Sequence, residues 1–358
     1  MASAGFTLLI KTVRCMMKDS VFSRGTLLLA DEMSGQTITA VNRVVLVKDT
    51  SNSIVFKLPF VFADLFGFSR LLSRLFRLDR LNLLYQDLEN LVFLRYGRVY
   101  HYSRLDNLLT KSFKLSYTRN ILVGASTIGP AGELIFGDYG AKGKSQGVVV
   151  YRSLDKGKYW EEIFRFPVGS VKQILAINWD RHSSSFWVNT GDEIGECFFW
   201  RFDKNFELVE KLGDGSLIYR AISIWFAKGK ISWVSNNPAN GSKLYSLDLV
   251  NRDLEAGEDI DGSVWYSKTL SDGQVLLTTC AEDLGWKSDN GVKLLASKTI
   301  NNFRVIGYYP KDRFSKRLFR FGIGSFPLGD MSANKVFINL EAVEKYDGKI
   351  VMVDLDEG

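Results

Sequence analysis

Several residues that often define a protein's class are scarce in this chain. Its 358 residues include only 3 cysteines, 2 histidines and 6 prolines. Cys15, Cys197 and Cys280 lie far apart and form no C-x-x-C pair, so the sequence predicts neither a metal site nor a disulfide framework. The odd number of cysteines favours a reducing compartment.

Long hydrophobic runs are also missing. No stretch of 18 apolar residues occurs, so we expect no membrane-spanning helix. The short apolar run at residues 6–10 precedes its basic residues, whereas a secretory signal places them first. We therefore expect no signal peptide and a cytoplasmic or membrane-peripheral location. Without a phosphate loop, a dinucleotide fingerprint or a G-x-S-x-G elbow, the sequence also predicts no cofactor.

The charge balance is mildly basic. A net charge of +6 is spread over interspersed basic and acidic residues, which permits anionic partners without identifying them. Apolar residues make up 46% of the chain, enough for a large core, and no linker-like segment interrupts it. We predict a single domain over residues 1–358.

Short apolar runs separated by Gly, Asn and Asp predict an all-β fold, since no alternation of strands and helices occurs. The first four strands are expected at 26–30, 37–40, 44–47 and 53–58.

One turn motif sets the starting point for locating a repeat along the chain. Ser153, Asp155, Gly157 and Trp160 follow the pattern Ser-x-Asp-x-Gly-x-x-Trp, which resembles the Asp-box, or BNR repeat. In such a turn the Ser and Asp side chains accept backbone N–H bonds, the Gly takes a positive φ and the Trp packs beneath. We interpret these four residues as architectural.

Weaker copies of this pattern recur at intervals of about 45 to 57 residues. Each has an apolar strand followed by an Asp, although one copy, at residues 294–299, has lost the Asp. The other aspartates are Asp49, Asp106, Asp203, Asp248 and Asp354. Seven copies at this period predict a seven-bladed β-propeller, with a six-bladed, sialidase-like propeller as the alternative. An N-terminal strand at residues 6–10 is expected to complete the last blade.

A helical insertion is expected at about residues 62–85. Phe68, Leu71 and Leu75 recur at helical spacing, while Arg70 and Arg74 lie on the opposite face. Two interpretations remain open: a helix that caps the propeller with solvated arginines, or a contact with an anionic membrane surface or a protein. No aromatic platform lies among the arginines, so nucleic acid is not expected as a partner.

Polar clusters at strand ends form the candidate active site. They lie at residues 137–140, 189–196 and 278–283, and 235–238 is the corresponding corner of the fifth sheet. Carboxylates from neighbouring blades would act as general acid and base, and a Tyr beside a carboxylate would act as nucleophile or positioning hydroxyl. Ordinary turn chemistry is the alternative. The candidate catalytic residues are Asp138, Tyr139, Asp192 and Glu282.

Cationic and aromatic residues recur near the same corners. Arginine side chains bind carboxylate groups well, and aromatic faces bind sugar rings. Together they predict a glycan ligand, and an acidic glycan would fit both features. For Arg220 a surface ion pair is the alternative role. The candidate substrate-binding residues are Tyr219, Arg220, Glu193, Trp265 and Arg313.

These motifs together resemble the BNR-repeat, glycosyl-hydrolase-like propellers associated with bacterial exopolysaccharide and O-antigen synthesis. The resemblance extends from about residue 59 to about residue 322. The strings that carry it are Phe136-Gly-Asp-Tyr-Gly140, the Asp-box strand, Phe166-Pro-Val-Gly-Ser170, Trp187-Val-Asn-Thr-Gly-Asp-Glu193 and Gly215-Ser-Leu-Ile-Tyr-Arg-Ala221. It implies a carbohydrate-active protein of the glycoside-hydrolase type, acting on a bacterial polysaccharide or its precursor. A non-catalytic glycan-binding or scaffolding propeller is the alternative.

The chain departs from that family in places. Such proteins tend to carry Gly-Glu-Tyr where this chain has Gly137-Asp138-Tyr139, and histidines where it has Lys172-Gln173. Because the Arg-Ile-Pro motif of sialidases is also missing, sialic acid is not the expected substrate.

Overall fold

The computed structural model describes residues 19–78, 81–115, 118–140, 146–237, 241–284, 287–288, 290–332 and 334–355. The chain divides into two compact units. Unit 1 comprises residues 1–78, 238–242 and 258–358, and unit 2 comprises residues 79–237 and 243–257. The single domain expected over 1–358 stays a prediction.

The first part of unit 1 contains an edge strand, a complete sheet and two short helices. After β1 (Asp19–Arg24) come β2 (Thr26–Asp31), β3 (Gln36–Val41), β4 (Val44–Lys48) and β5 (Ser53–Lys57), then a 3₁₀ helix (Phe62–Phe66) and helix α1 (Arg70–Leu75). Strands β2 to β5 form an antiparallel meander, sheet 1. The four strands predicted for this sheet are confirmed to within two residues at each end.

Unit 2 contains the next four meanders. Sheet 2 comprises β6 (Asn82–Gln86), β7 (Asn90–Arg95), β8 (Arg98–Ser103) and β9 (Leu108–Lys114), and sheet 3 comprises β10 (Ser126–Ile128), β11 (Leu134–Gly137), β12 (Val149–Ser153) and β13 (Glu161–Arg165). Sheet 4 comprises β14 (Ile174–Asp180), β15 (Ser185–Thr190), β16 (Cys197–Phe202) and β17 (Leu208–Gly215), and a 3₁₀ helix (Leu217–Tyr219) follows. Sheet 5 comprises β18 (Ala221–Ala227), β19 (Lys230–Asn237), β20 (Gly241–Asp248) and β21 (Leu254–Ile260), whose outer strands include residues of unit 1.

The last part of unit 1 contains two more meanders. Sheet 6 comprises β22 (Ser263–Thr269), β23 (Val275–Ala281), β26 (Gly291–Ser297) and β27 (Arg304–Pro310), with the small hairpin β24 (Asp283–Leu284) and β25 (Lys287–Ser288) between its middle strands. After helix α2 (Lys316–Phe319), sheet 7 comprises β28 (Gly322–Ser325), β29 (Lys335–Glu341) and β30 (Lys349–Asp354). Sheets 6 and 7 are joined by the pairing of β23 with β28.

Sheet 7 is completed from the start of the chain. Strand β1 pairs antiparallel with β30, with Val21 opposite Val351, so the first described strand provides the fourth strand of the last sheet. A closing N-terminal strand was predicted at residues 6–10, which lie outside the described residues. The closing strand of the structure is Asp19–Arg24 instead.

The predicted phase of the Asp repeat is confirmed. In sheets 1 to 6 the repeat lies at the end of the third strand, where the chain turns into the fourth, and Asp354 ends the third strand of sheet 7. Asp203 Oδ1 accepts the N–H groups of Asn205 and Glu207 at 2.8 and 2.9 Å, and Asp248 Oδ1 accepts that of Val250 at 2.7 Å. A short acceptor side chain at this position accepts hydrogen bonds from the N–H groups of the turn, which are not paired with a neighbouring strand.

The Asp-box turn has the hydrogen bonds expected from its sequence. Ser153 Oγ accepts the Gly157 N–H at 2.8 Å, and Asp155 Oδ1 accepts those of Lys158 and Tyr159 at 3.0 and 2.9 Å. Gly157 has φ +87°, and Trp160 is buried against Phe136, with ring centroids 4.8 Å apart. These contacts hold the Asp-box turn together.

The helical insertion is shorter than predicted. Helix α1 ends at Leu75, Arg77 takes a positive φ of 48°, and Asn82–Gln86 form a strand instead of the end of a helix. No helix among the described residues is long and apolar enough to cross a membrane.

The arginine face of α1 differs from one of the two interpretations of the insertion. The capping interpretation placed the arginines in solvent, but Arg74 is buried and Arg70 pairs with Asp347 and Glu341. Leu71 and Leu75 are instead exposed. The helix therefore packs onto unit 1 through ion pairs on its arginine face.

Candidate functional site

The candidate site in unit 2 lies at one end of sheets 3, 4 and 5. Tyr139 follows the second strand of sheet 3, and Asp192 follows the second strand of sheet 4. Lys172 precedes the first strand of sheet 4, and Arg220 precedes the first strand of sheet 5. In an antiparallel meander the first strand begins where the second ends, so these side chains share one end of their sheets.

Asp192 is the centre of this group. Its Oδ2 accepts a hydrogen bond from Lys172 Nζ, and its Oδ1 lies 2.8 Å from Arg220 Nη2. Lys172 Nζ also lies 3.2 Å from Glu193 Oε1. We call these four residues the Asp192 network.

The two cations keep Asp192 ionised. Burial alone would raise the pKa of Asp192, but the hydrogen bond from Lys172 and the charge of Arg220 together lower this pKa below its usual value. The pKa of Lys172 is raised in turn by its hydrogen bond to Asp192. Asp192 and Lys172 therefore stabilise each other's charged forms.

Arg220 is held by the backbone of sheet 5. Its Nη1 donates to the Asn236 carbonyl at 2.9 Å, and the Asn236 N–H donates to the Arg220 carbonyl at 2.8 Å. Its Nε is buried and has no hydrogen-bond partner within the described part of the chain. The guanidinium is thus fixed in direction by two of its nitrogens.

Gly191 fixes the direction of the Asp192 turn. Its φ is +120°, and a Cβ at this position would lie 2.6 Å from Cys197 Sγ. Its N–H donates to the Gln173 carbonyl at 3.1 Å, which ties this turn to the segment that carries Lys172. Only glycine fits here without strain.

Tyr139 lies beside the network. Burial raises the pKa of Tyr139, and the negative charge of Asp192 raises it further. The hydroxyl therefore stays protonated at neutral pH and can donate a hydrogen bond. This protonation favours the predicted positioning role over the nucleophilic one.

Asp138 is enclosed more deeply than its neighbour. It is 2% exposed, and the Thr118 hydroxyl donates to its Oδ1. Burial raises the pKa of Asp138 more than the hydrogen bond from Thr118 lowers it. Of the candidate carboxylates, Asp138 is therefore the one suited to hold a proton.

Tyr219 packs within the aromatic cluster of sheets 4 and 5. Its ring stacks on Trp233 with centroids 5.6 Å apart and meets Phe199 edge-on at 5.6 Å. This packing holds the segment that leads to Arg220. Tyr219 therefore helps to position the Arg220 side chain in the site.

The remaining predicted residues belong to unit 1. Trp265 Nε1 donates to Ser263 Oγ at 3.2 Å and lies 3.4 Å from Glu282 Oε1. Arg313 is exposed, with its guanidinium 5.4 Å from the Phe314 ring centroid. The structure thus brings together Tyr139, Asp192, Glu193 and Arg220, and separately Trp265 and Glu282. The convergence of Asp138, Asp192 and Glu282 in one channel stays a prediction.

Lys172 was not predicted as a site residue. Its position was noted only as lacking the histidine seen in similar proteins. One sequence signal was available. Lys172 lies just before the first strand of sheet 4, and that strand pairs with the strand that ends at Thr190, two residues before Asp192.

His101 takes no part in this site. Its Nε2 lies 2.8 Å from Asn90 Oδ1 within sheet 2, and burial lowers its pKa.

Comparisons with known proteins add information about the fold. No family model matches the sequence, and no curated protein matches it. A solved structure described as a crystal structure of the mitotic checkpoint complex aligns over 93% of this chain and 89% of that chain, with a TM-score of 0.53 and 8% identity. The structure of the AfRom2 CNH domain aligns over 95% of this chain and 99% of that chain, with a TM-score of 0.53 and 11% identity.

Both neighbours are β-propellers, and identities this low show the fold alone. The chain has an all-β, β-propeller fold, and the part that the structure describes contains five separate four-stranded sheets and the eight-stranded sheet that sheets 6 and 7 form together.

Proposed function

We propose that this protein is a non-catalytic glycan-binding propeller whose Asp192 network binds sugar hydroxyls. The observation that supports this most is the position of Asp192 between Lys172 and Arg220, with a pKa below its usual value. A carboxylate in this state is a fixed acceptor and a poor proton donor.

The chemistry of the network matches that of a sugar. Each sugar hydroxyl both donates and accepts a hydrogen bond, and the network together with Tyr139 beside it offers both roles at one end of sheets 3, 4 and 5. Asp192 and Glu193 accept, whereas Lys172, Arg220 and the Tyr139 hydroxyl donate. Charged partners make such hydrogen bonds stronger than neutral ones.

The network favours neutral sugars over acidic ones. A glycan carboxylate would have to displace Asp192 from Arg220, because Nη1 of Arg220 already donates to the Asn236 carbonyl and its Nε is buried. Neutral hydroxyls can bind without breaking that ion pair. From the resemblance of its motifs, we take the glycan to be a bacterial polysaccharide or its precursor.

A glycoside hydrolase is the second candidate, and one observation favours it. The raised pKa of Asp138 suits a general acid, and Tyr139 follows it directly in sequence. Catalysis would further require a second carboxylate at about 5 to 10 Å from Asp138.

The two functions are separated by one experiment. Wild-type protein is applied to an array of bacterial polysaccharide fragments, and released sugar is measured in the same wells. We expect binding to neutral fragments without released sugar, and binding that Asp138→Asn leaves unchanged. Release of sugar that Asp138→Asn abolishes would establish the hydrolase, and no binding to any fragment would exclude both.

A further inference from the structure

We propose that unit 1 contacts anionic membrane surfaces through an apolar patch formed by the insertion after sheet 1 and helix α2. We define this surface, the insertion patch, by the exposed side chains of Phe60, Phe62, Leu65, Phe68, Phe76 and Leu318. This proposal is independent of the glycan site, which lies in unit 2.

The patch is unusual in its composition. Phe62 is 73% exposed and Phe68 is 79% exposed, and further apolar side chains lie between them in sequence. Single exposed apolar residues are common on soluble proteins, but a contiguous exposed group indicates an interaction surface. Large aromatic side chains are also those that insert at the boundary between lipid headgroups and acyl chains.

The patch is held rigidly by polar contacts beneath it. Arg74 Nη1 lies 2.5 Å from Asp312 Oδ2, and Arg74 Nε donates to the Phe319 carbonyl at 2.7 Å. Arg77 Nη2 donates to the Arg317 carbonyl at 3.2 Å. These bonds join α1 and the segment just after it to α2, the helix that carries the exposed Leu318.

Two rings of the patch are supported by Phe66, which lies next to it. Phe66 packs between its neighbours, with its centroid 6.0 Å from that of Phe62 and 4.5 Å from that of Phe76. The 3₁₀ helix is therefore packed against the end of α1. The surface needs little further ordering when it binds, which lowers the entropic cost of binding.

Charge selects an anionic membrane as the occupant. Lys57, Arg77, Arg313 and Arg317 are exposed on the segments that carry the patch. The acidic residues of these segments are used internally, since Asp312 pairs with Arg74 and Lys311, and Asp64 accepts the Val61 N–H. Exposed cations next to exposed aromatics fit lipid phosphates above an acyl layer.

Sedimentation with vesicles tests this inference on the full chain. The probes are vesicles of phosphatidylcholine alone and vesicles that also contain phosphatidylglycerol. We expect the wild type to sediment with the second kind and only weakly with the first, and added salt to reduce this binding.

Two comparisons of double variants distinguish binding through the patch from nonspecific binding to vesicles. Phe62→Ser with Phe68→Ser should lower vesicle binding about tenfold or more, since each ring loses its contact with lipid. The matched control is Leu105→Ser with Leu154→Ser, which removes two side chains of similar exposure, 75% and 70%, and should leave binding unchanged. Arg313→Gln with Arg317→Gln should weaken binding, whereas Lys204→Gln with Lys228→Gln, which removes the same charge from exposed positions, should not.

Three results would overturn the proposal. Wild-type protein that does not sediment with anionic vesicles would do so, as would equal losses in the patch and control variants. A dimer in sedimentation velocity that Phe62→Ser with Phe68→Ser converts to a monomer would assign the patch to a second copy of the chain.

Discussion

Nη1 of Arg74 and Oδ2 of Asp312 form an ion pair of 2.5 Å between side chains that are 2% and 12% exposed. The two residues are 238 positions apart in the sequence. This pair joins helix α1 to the segment before α2, and it explains why the arginine face of α1, not its leucine face, packs against unit 1.

Replacing Arg74 should therefore destabilise the protein strongly. Arg74→Met leaves Asp312 with Lys311 as its remaining cation, and the Phe319 carbonyl loses the Nε donor. Breaking a buried pair of this kind costs about 3 kcal/mol. Arg74→Lys should also be destabilising, because one ammonium cannot replace three directed donors.

Denaturant unfolding measures this effect. The control is Arg70→Met on the same helix, which removes ion pairs with Glu341 and Asp347 from a side chain that is 48% exposed and should therefore cost less than Arg74→Met. Equal losses for the Arg70 and Arg74 variants would show that α1 is not held by its buried arginine.

The same helix shows a limit of sequence analysis. Periodicity identified two faces of α1 correctly, but it did not show that the arginine face is the one that packs against unit 1. Burying Arg74 is favourable only because Asp312 and Asp347 come from distant parts of the chain. No local pattern contains that information.

The Asp-box gives a second prediction. Gly157→Ala forces an alanine to φ +87° and places its Cβ 2.6 Å from Val92 Cγ2, so the free energy of unfolding should fall by about 1 to 3 kcal/mol.

Gly132→Ala is the matched control for this turn. Its φ is +84°, but nothing lies within 4 Å of the added Cβ, so only the backbone strain remains. Thermal unfolding should place Gly132→Ala between the wild type and Gly157→Ala. If both variants unfold together, the contact with Val92 contributes nothing.

The repeat phase was predictable because its cause is local. An aspartate at the end of a third strand accepts N–H groups only two to four residues ahead, as Asp203 and Asp155 do. The Asp192 network was only partly predictable. Strand ends identified Asp192 and Arg220, but Lys172 became recognisable only when its pairing with Asp192 was visible.

Acid should destabilise the protein through the turn aspartates. Burial alone would raise the pKa of Asp155, but hydrogen bonds from Tyr159, Ser153 and Lys158 lower it below its unfolded value. A carboxylate with a lowered folded pKa contributes stability above its unfolded pKa, and this contribution is lost as the pH falls through the folded value.

The expected window lies below about pH 4, near the unfolded pKa of an aspartate. The free energy of unfolding of the wild type should fall with pH in this range, and Asp155→Asn should show a shallower fall. Parallel curves for the two proteins would contradict the role given to Asp155.

The buried cysteines should be unreactive. Burial raises the pKa of Cys197 to about 12, and Cys280 is fully buried. In a Cys15→Ser background, a thiol reagent at pH 8 should label the native protein slowly and the denatured protein fully. Rapid labelling of the native protein would show that β16, which begins at Cys197, or β23, which contains Cys280, opens readily.

The Asp192 network is the proposed binding site for glycan. The most direct measurement is a calorimetric titration of the best array ligand into the wild type, Asp192→Asn and Lys230→Gln. Lys230 pairs with Glu255 at an exposed site in the same unit, so its variant controls for the loss of one ion pair. We predict that Asp192→Asn weakens binding by about ten- to a hundredfold, since the asparagine loses charged hydrogen bonds, and that Lys230→Gln binds as the wild type does. Equal affinities for the wild type and Asp192→Asn would contradict the claim.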